Sequence, residues 1–383
     1  MDLTYLDSNA TTKPAPEVVE AITHCLTDTW GNPSSAHRFG QEARRQIDEA
    51  REQVAALVNC TPRELTFLSG GTEATNTSIR GLLTARTPRR KIVTSKVEHS
   101  ATKETCGLLG REGYEIVEIG VNRDGQLDYD EFIKHVTDDT ALVTMMWANN
   151  ETGTLFPMEK IASACKEKRV PIHVDLTQCL GKINVDLTAM PIDAATFAAH
   201  KFHGPKGIGA LYTRKGMRLR SLVLGGPQEN SKRGGTENVP GIVGMGVAAK
   251  LAKENLGLMT SRVAPLRDRL EANILERISD TRVNGDRSAR LPNTTNISFK
   301  QLAVEPILLA LSEQGICASA GSACSSGSLE PSHVIRAMGT EPEWTGAIRL
   351  SLSRFTTDAE VDKCLAVLPG IIAKLRKVMP VGA

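Results

Sequence analysis

The chain has 383 residues, 40% of them apolar, a formal net charge of +2 and only 4% aromatic residues. That length leaves room for about two or three domains with a large core. Near-neutral charge without a basic block argues against a nucleic-acid or anionic-membrane partner, and the scarcity of aromatics argues against stacking platforms for bases. Met1-Asp2-Leu3-Thr4 does not open an export signal, and no apolar run approaches the ~18 residues of a membrane span, so a cytoplasmic protein is expected.

Along the chain, Ala43, Ile47, Ala50, Val54, Leu57 and Val58 recur at steps of three and four and predict a helix. Strands are expected at 65–69, 91–95, 114–119, 140–146, 170–175, 193–198 and 208–213. Most are apolar without clean alternation, as strands covered on both faces are. Helical patterns fall between several of them, near 73–86, 99–112 and 157–169. This order predicts an α/β fold whose large domain holds a mostly parallel, seven-stranded sheet. After about residue 260 the texture changes: a charged helix (262–278), a strand (294–299), a helix (303–314), a strand (315–319), a loop, a strand (347–352) and a last helix (357–377). These read as a smaller α+β domain. The large domain is expected over 16–258, and the small one over 1–15 and 259–383.

Several lookalikes carry no function. Gly241, Gly244 and Gly246 follow the order G-x-x-G-x-G with no strand leading in, so they are not a dinucleotide site. Gly120 to Glu131 resembles a calcium loop, but Gly120 stands where the first carboxylate belongs. Gly181-Lys182 is followed by Ile183, which is not a nucleotide phosphate loop, and no His/Cys grouping has a zinc spacing. The eight cysteines (Cys25, Cys60, Cys106, Cys165, Cys179, Cys317, Cys324 and Cys364) contain no C-x-x-C pair. Most are expected to be small core residues of a cytosolic chain, Cys317 among them. Cys324 differs, because Ser322-Ala323-Cys324-Ser325-Ser326-Gly327 sets a thiol among small residues with freedom to move.

Open α/β sheets bind ligands beyond the carboxyl ends of their strands. Strand 65–69 leads to Ser69-Gly70-Gly71-Thr72 and then a helix, a turn that aims backbone N–H groups at an anion. The other strand ends lead to Glu98-His99, to Asn149-Asn150-Glu151, to Asp175 with Gln178, and to His200-Lys201. Taken singly, His99 is more often a structural histidine, Asp175 a turn cap and Lys201 surface charge. Together they offer a phosphate cradle, an imidazole, an amide, a carboxylate and an amine on one rim. Pyridoxal phosphate needs that set: donors for its phosphate, a lysine for its aldehyde, a carboxylate for its ring nitrogen, a donor for its ring oxygen and a flat partner for its face.

The chain resembles the cysteine desulfurases, within the class V aminotransferase-like pyridoxal phosphate enzymes of fold type I. Tyr5-Leu6-Asp7-Ser8-Asn9-Ala10-Thr11-Thr12, Gly31-Asn32-Pro33-Ser34-Ser35, Gly71-Thr72-Glu73, Val97-Glu98-His99, Asn149-Asn150-Glu151-Thr152-Gly153, His200-Lys201, Gly234-Gly235-Thr236-Glu237-Asn238, Gly321-Ser322-Ala323-Cys324 and Arg354-Phe355-Thr356-Thr357 carry the resemblance. Met146-Trp147-Ala148-Asn149-Asn150 and the 326–333 stretch look most like the NifS branch, associated with nitrogenase cluster supply. The resemblance implies that Lys201 holds the cofactor and moves the substrate's Cα proton. By the same token Asp175 pairs with the ring nitrogen, Gln178 with the ring oxygen, and His99 is a catalytic residue that stacks on the ring and assists proton transfer. Gly71, Thr72 and His200 bind phosphate, and Thr236 reaches the phosphate of a partner subunit in a homodimer. Asn150 and Arg349 hold the carboxylate of L-cysteine, Arg349 by its planar fork. Cys324 accepts the sulfur and hands it to a protein acceptor such as an iron–sulfur scaffold. The chain departs from its relatives at Ala198, where some carry a phosphate-binding serine, at Ser8 in place of asparagine, and at Ala199 in place of glycine. Two alternatives stay open: another pyridoxal phosphate reaction, such as that of an aminotransferase or selenocysteine lyase, and an idle scaffold for cluster-assembly proteins.

Overall fold

The computed structural model of the chain describes residues 3–84, 88–321, 332–344 and 346–378. A short first strand, β1 (Thr4–Tyr5), stands apart from the main sheet. That sheet is built of β2 (Leu65–Leu68), β3 (Lys91–Ser95), β4 (Glu115–Ile119), β5 (Thr140–Met146), β6 (Ile172–Asp175), β7 (Ala194–Ala198) and β8 (Gly209–Thr213). Their spatial order is β2-β8-β7-β6-β5-β3-β4. β8 alone runs against its neighbours β2 and β7, so six strands point one way. All seven expected strands are present, because burial on both faces leaves a continuous apolar run in the sequence. β4 lies at an edge, and its Glu115 and Glu118 are exposed there.

The helix Arg38–Val58 buries the six apolar positions that marked it and ends at Asn59, which adopts the left-handed conformation that closes many helices. It packs against Val239–Glu254. The glycines of the dinucleotide lookalike lie on that second helix. A Cβ on Gly246 would stand 2.6 Å from Ala50 Cα, and one on Gly244 would stand 2.7 Å from the Ile22 side chain. Gly244 and Gly246 serve close approach of neighbouring elements. The calcium lookalike is a turn closed by its own groups: Asn122 Oδ1 accepts from the N–H of Asp124 and of Gln126, and Glu131 Oε2 accepts from Gly120 N–H.

A three-stranded antiparallel sheet follows, with β9 (Thr281–Val283), β10 (Thr294–Phe299) and β12 (Ala347–Ser351) in the order β12-β10-β9. β1 pairs in parallel with β11 (Ile316–Cys317). Leu6, Leu270, Ile297, Phe299, Leu311, Ile348 and Leu365 share a second core there. Leu291, Val334, Ile335, Met338 and Ala347 instead join the core of the main sheet, which ties the two layers together. From β1 the chain runs along β12, where Ser8 N–H donates to Ser351 O at 3.0 Å, and on to the end of β7, where Thr12 N–H donates to His200 O at 2.9 Å. Residues 9–11 are thereby laid across the carboxyl ends of the main strands. Among the described residues no helix is long and apolar enough to cross a membrane.

Candidate active site

A cavity of about 530 Å³ opens beyond the carboxyl ends of β2, β3, β5, β6 and β7. Gly71, Thr72, His99, Asn150, Asp175, Gln178, His200, Lys201 and Arg349 all line it. The parallel strands of the main sheet bring all of these except Arg349 to one rim, and Arg349 comes from β12 of the second sheet.

Lys201 leaves β7 through a single 3₁₀ turn, Ala199–Lys201. Its Nζ donates to Asn9 O at 2.7 Å and to Ala10 O at 2.9 Å. Gln178 Nε2 donates to the same Asn9 carbonyl at 3.0 Å. Behind them Lys182, 6% exposed, donates from Nζ to Asn9 Oδ1 at 3.0 Å and to Gln178 Oε1. Sequence reasoning passed over both Asn9 and Lys182. Asn9 was visible inside the opening motif, whereas Lys182 carried no signal beyond its place four residues after Gln178.

Asp175 ends β6, and its Oδ1 accepts from Thr177 N–H at 2.8 Å. His99 caps the helix Ser100–Arg111, with Nδ1 accepting from Ala101 N–H at 3.1 Å, which places the ring proton on Nε2. Burial holds this imidazole below the usual histidine range; Asp175 acts against that shift and Lys201 adds to it. Beside it Glu98 is sealed in the core. Burial pushes its carboxyl up to about 8, hydrogen bonds from Ser95 Oγ and Met146 N–H oppose this, and Asp175 adds to the rise.

The helix Gly71–Thr84 starts at the rim, so its first N–H groups have no intrahelical acceptor and face the cavity mouth with Thr72 exposed beside them. Glu73, in its first turn, is turned aside: it accepts from Ser69 N–H at 2.7 Å and pairs with Arg233 at 3.0 Å. The turn fits against β8 because Gly209 has no side chain; a Cβ there would stand 2.6 Å from the Gly70 carbonyl carbon. His200, whose Nδ1 lies 3.2 Å from Thr11 Oγ1, is pushed down to about 4 by burial first and by Lys201 next. The Ala198 methyl lines the wall of the cavity.

At the other end Arg349 is 1% exposed. Its fork is partly taken: Nη2 pairs with Asp7 at 2.7 Å, and Nη1 donates to Asn150 O at 2.9 Å and Gly321 O at 2.5 Å. Its Nε has no partner. Asp7 is a partner that sequence reasoning missed. Glu151 is buried beside it. Its Oε2 accepts from Ser332 Oγ at 2.5 Å, its Oε1 has no partner, and burial pushes the carboxyl up to about 7 against Ser332 and Arg349.

Two expected site residues lie elsewhere. Cys324 falls outside the described residues, while Gly321 and Ser332 on either side of its segment both line the cavity. Thr236 is exposed and does not line the cavity of its own chain. Cys25, Cys106, Cys165, Cys179 and Cys364 are buried as expected, but Cys60 and Cys317 are only half-buried. β11 is a two-residue strand at the margin of the second core, which explains why Cys317 is not the core residue its apolar neighbours implied.

The residues present fit pyridoxal phosphate. An open helix N-terminus suits its phosphate, Asp175 and the His99 ring line the same cavity, and Arg349 Nε is an orphaned buried donor for an anion. The class-V aminotransferase family matches residues 4–364, and the chain belongs to that family. A cysteine desulfurase of Trichormus azollae is 52% identical over 99% of this chain and 95% of its own length. The cysteine desulfurase NifS of Azotobacter vinelandii is 44% identical over 98% of this chain and 94% of its own. A solved NifS-like protein superimposes with a TM-score of 0.92 at 36% identity, over 98% of this chain and 100% of its own. Within the family the chain is thus a member of the NifS-like cysteine desulfurases.

Proposed function

We propose that this chain is a pyridoxal phosphate-dependent cysteine desulfurase that moves the sulfur of L-cysteine onto Cys324 and releases L-alanine. One observation carries the reading: Lys201, Asp175, His99 and the open N-terminus of Gly71–Thr84 share one cavity at the carboxyl ends of parallel strands. Bound there, pyridoxal phosphate supplies an electron sink for the charge left when Cα loses its proton. Gly71, Thr72 and His200 hold the phosphate, Asp175 keeps a proton on the ring nitrogen, Gln178 donates Nε2–H to the ring oxygen, and His99 covers the ring face. Lys201 Nζ anchors the aldehyde and carries the Cα proton of the substrate. Asn150 and Arg349 orient the substrate's carboxylate. Cys324 Sγ attacks the substrate sulfur, so that an S–S bond forms as the Cβ–S bond breaks. L-cysteine and the Cys324 thiol go in, L-alanine and a Cys324 persulfide come out, and no outside oxidant is needed.

The working form is a homodimer in which Thr236 completes the phosphate site of the partner subunit. Leu224 supports this: it is 82% exposed on a segment hydrogen-bonded to the Thr236 loop, with Gly234 N–H donating to Val223 O at 2.9 Å. The persulfide sulfur passes to a protein acceptor, an iron–sulfur scaffold, including one that serves nitrogenase maturation. Alanine and sulfide formed from L-cysteine in equal amounts, with a thiol reductant present, test the reading. Cys324→Ala is expected to keep the bound cofactor's absorbance and lose sulfur release, while Cys317→Ala keeps both. Normal sulfur release by the Cys324 variant would remove Cys324 from the reaction.

A further inference from the structure

Lys182, from the dismissed phosphate-loop lookalike, lies behind the cavity and has no role in the reaction described above. We propose that Lys182 is a positioning residue: it turns the Gln178 amide so that Nε2–H faces the cofactor's ring oxygen, and it holds Asn9 so that the Asn9 carbonyl receives the Lys201 amine. This rests on the reading of Gln178 given above.

Lys182 lies four residues after Gln178, and its amine is surrounded by oxygen atoms, Asn9 Oδ1 at 3.0 Å and Gln178 Oε1. A lysine amine reaches these two amides as a donor, so each presents its oxygen to it. For Gln178 that choice sends Nε2 the other way. One of its hydrogens goes to Asn9 O at 3.0 Å, and the second is left for the cavity that Gln178 lines. For Asn9, Oδ1 is shared between Lys182 and Asn293 Nδ2 at 3.1 Å, so Nδ2 faces Thr294 Oγ1 at 2.8 Å and Asn150 O at 3.2 Å. Asn9 is thereby clamped, and its backbone carbonyl stands 2.7 Å from Lys201 Nζ. An apolar side chain at 182 would pack in the same space without desolvating an amine, so the lysine is not there for burial. Without it the Gln178 amide could turn over and present its oxygen to the ring oxygen, where two acceptors repel. Burial pushes the Lys182 amine well down, Lys201 and Arg349 add to this, and Cys179 opposes it; these are the titratable and charged groups that face it.

The test follows the visible absorbance of the bound cofactor against pH in the cofactor-loaded protein. A hydrogen bond from Gln178 to the ring oxygen favours its deprotonated form, so loss of that bond raises the titration midpoint. Gln178→Leu is expected to raise it by about one unit, a tenfold change in proton affinity. Lys182→Met should move it the same way, and adding Lys182→Met to Gln178→Leu should move it no further. Lys182→Gln, which retains an N–H donor, should return the midpoint toward wild type. If Gln178→Leu shifts the midpoint and Lys182→Met does not, the inference is overturned; so it is if the two shifts add. If Gln178→Leu itself shifts nothing, the cofactor reading of Gln178 fails instead. Should Lys182→Met not fold, a neutron structure of the wild-type holoenzyme decides, since an amide with Oε1 turned toward the ring overturns the inference equally.

Discussion

Glu98 and Glu151 are carboxyls that the fold has taken out of water, and each keeps one oxygen without a partner. Glu98 holds its proton up to about pH 8 when folded, whereas unfolded it releases it near the ordinary 4.5. As pH rises the unfolded chain loses this proton first. Stability therefore falls through the window from 4.5 to about 8 and levels off above it. Glu98→Gln keeps an oxygen for Ser95 Oγ and Met146 N–H and removes the titration. The variant's Tm advantage over wild type is expected to grow from acid to mildly alkaline pH in that window, and a constant difference would show that Glu98 ionises normally. Lys201 rests on geometry of another kind. Among the described residues no other lysine amine is placed on two backbone carbonyls of the opening motif. Lys201→Ala is expected to cut alanine formation by roughly 10²–10⁴-fold, the usual worth of a positioned proton-transfer group. It should also abolish fixing of the cofactor to the chain by borohydride, read by peptide mapping. Cofactor fixed to Lys206 in the wild-type protein would reassign the anchor.

Helix pairing is part of the main-sheet core. Arg38–Val58 and Val239–Glu254 approach closely where Gly246 meets Ala50. A side chain at 246 meets backbone there, and backbone cannot step aside as a flexible side-chain tip can. Gly246→Val is expected to cost roughly 1–3 kcal/mol in urea unfolding, the range for overpacking, while the cofactor's absorbance in the folded protein stays unchanged. A neutral result would mean that the two helices separate freely. Gly257 is a control, since nothing lies within 4 Å of a Cβ built there.

Over the whole molecule the site is assembled from distant pieces: the opening segment, the rim of the main sheet and the second sheet. Asp7 and Arg349 are 342 positions apart and meet at 2.7 Å. Thr236 is exposed and does not line this cavity, which makes dimer formation testable by hybrids. Thr236→Ala homodimers are expected to bind the cofactor more weakly. A hybrid of one Thr236→Ala chain with one Lys201→Ala chain should regain one normal site, because the intact Thr236 serves the chain that keeps Lys201. Hybrids no better than the Thr236→Ala homodimer would place Thr236 in its own subunit's chemistry or in none.

The seven main strands were legible in the sequence because each is a short apolar run covered on both faces, and their carboxyl-end residues were legible because each lies within a few positions of its strand. Lys201, Asp175 and His99 could be placed on one rim before any pairing was known, since parallel strands deliver their ends to the same side. Tertiary structure alone decided the rest. β1 and β9 have two and three residues, too few for a period, and exist through pairing with β11 and β10. The reversal of β8 leaves no mark in a strand buried on both faces. Cys317 reads as core from its neighbours, yet a strand at the margin leaves it half-buried. Lys182, Asn9 and Asp7 took their partners only when the folded chain brought residues 9, 178, 182, 201 and 349 together. A hydrogen bond depends on atoms a few ångströms apart in space, and sequence patterns register only what lies a few residues apart along the chain.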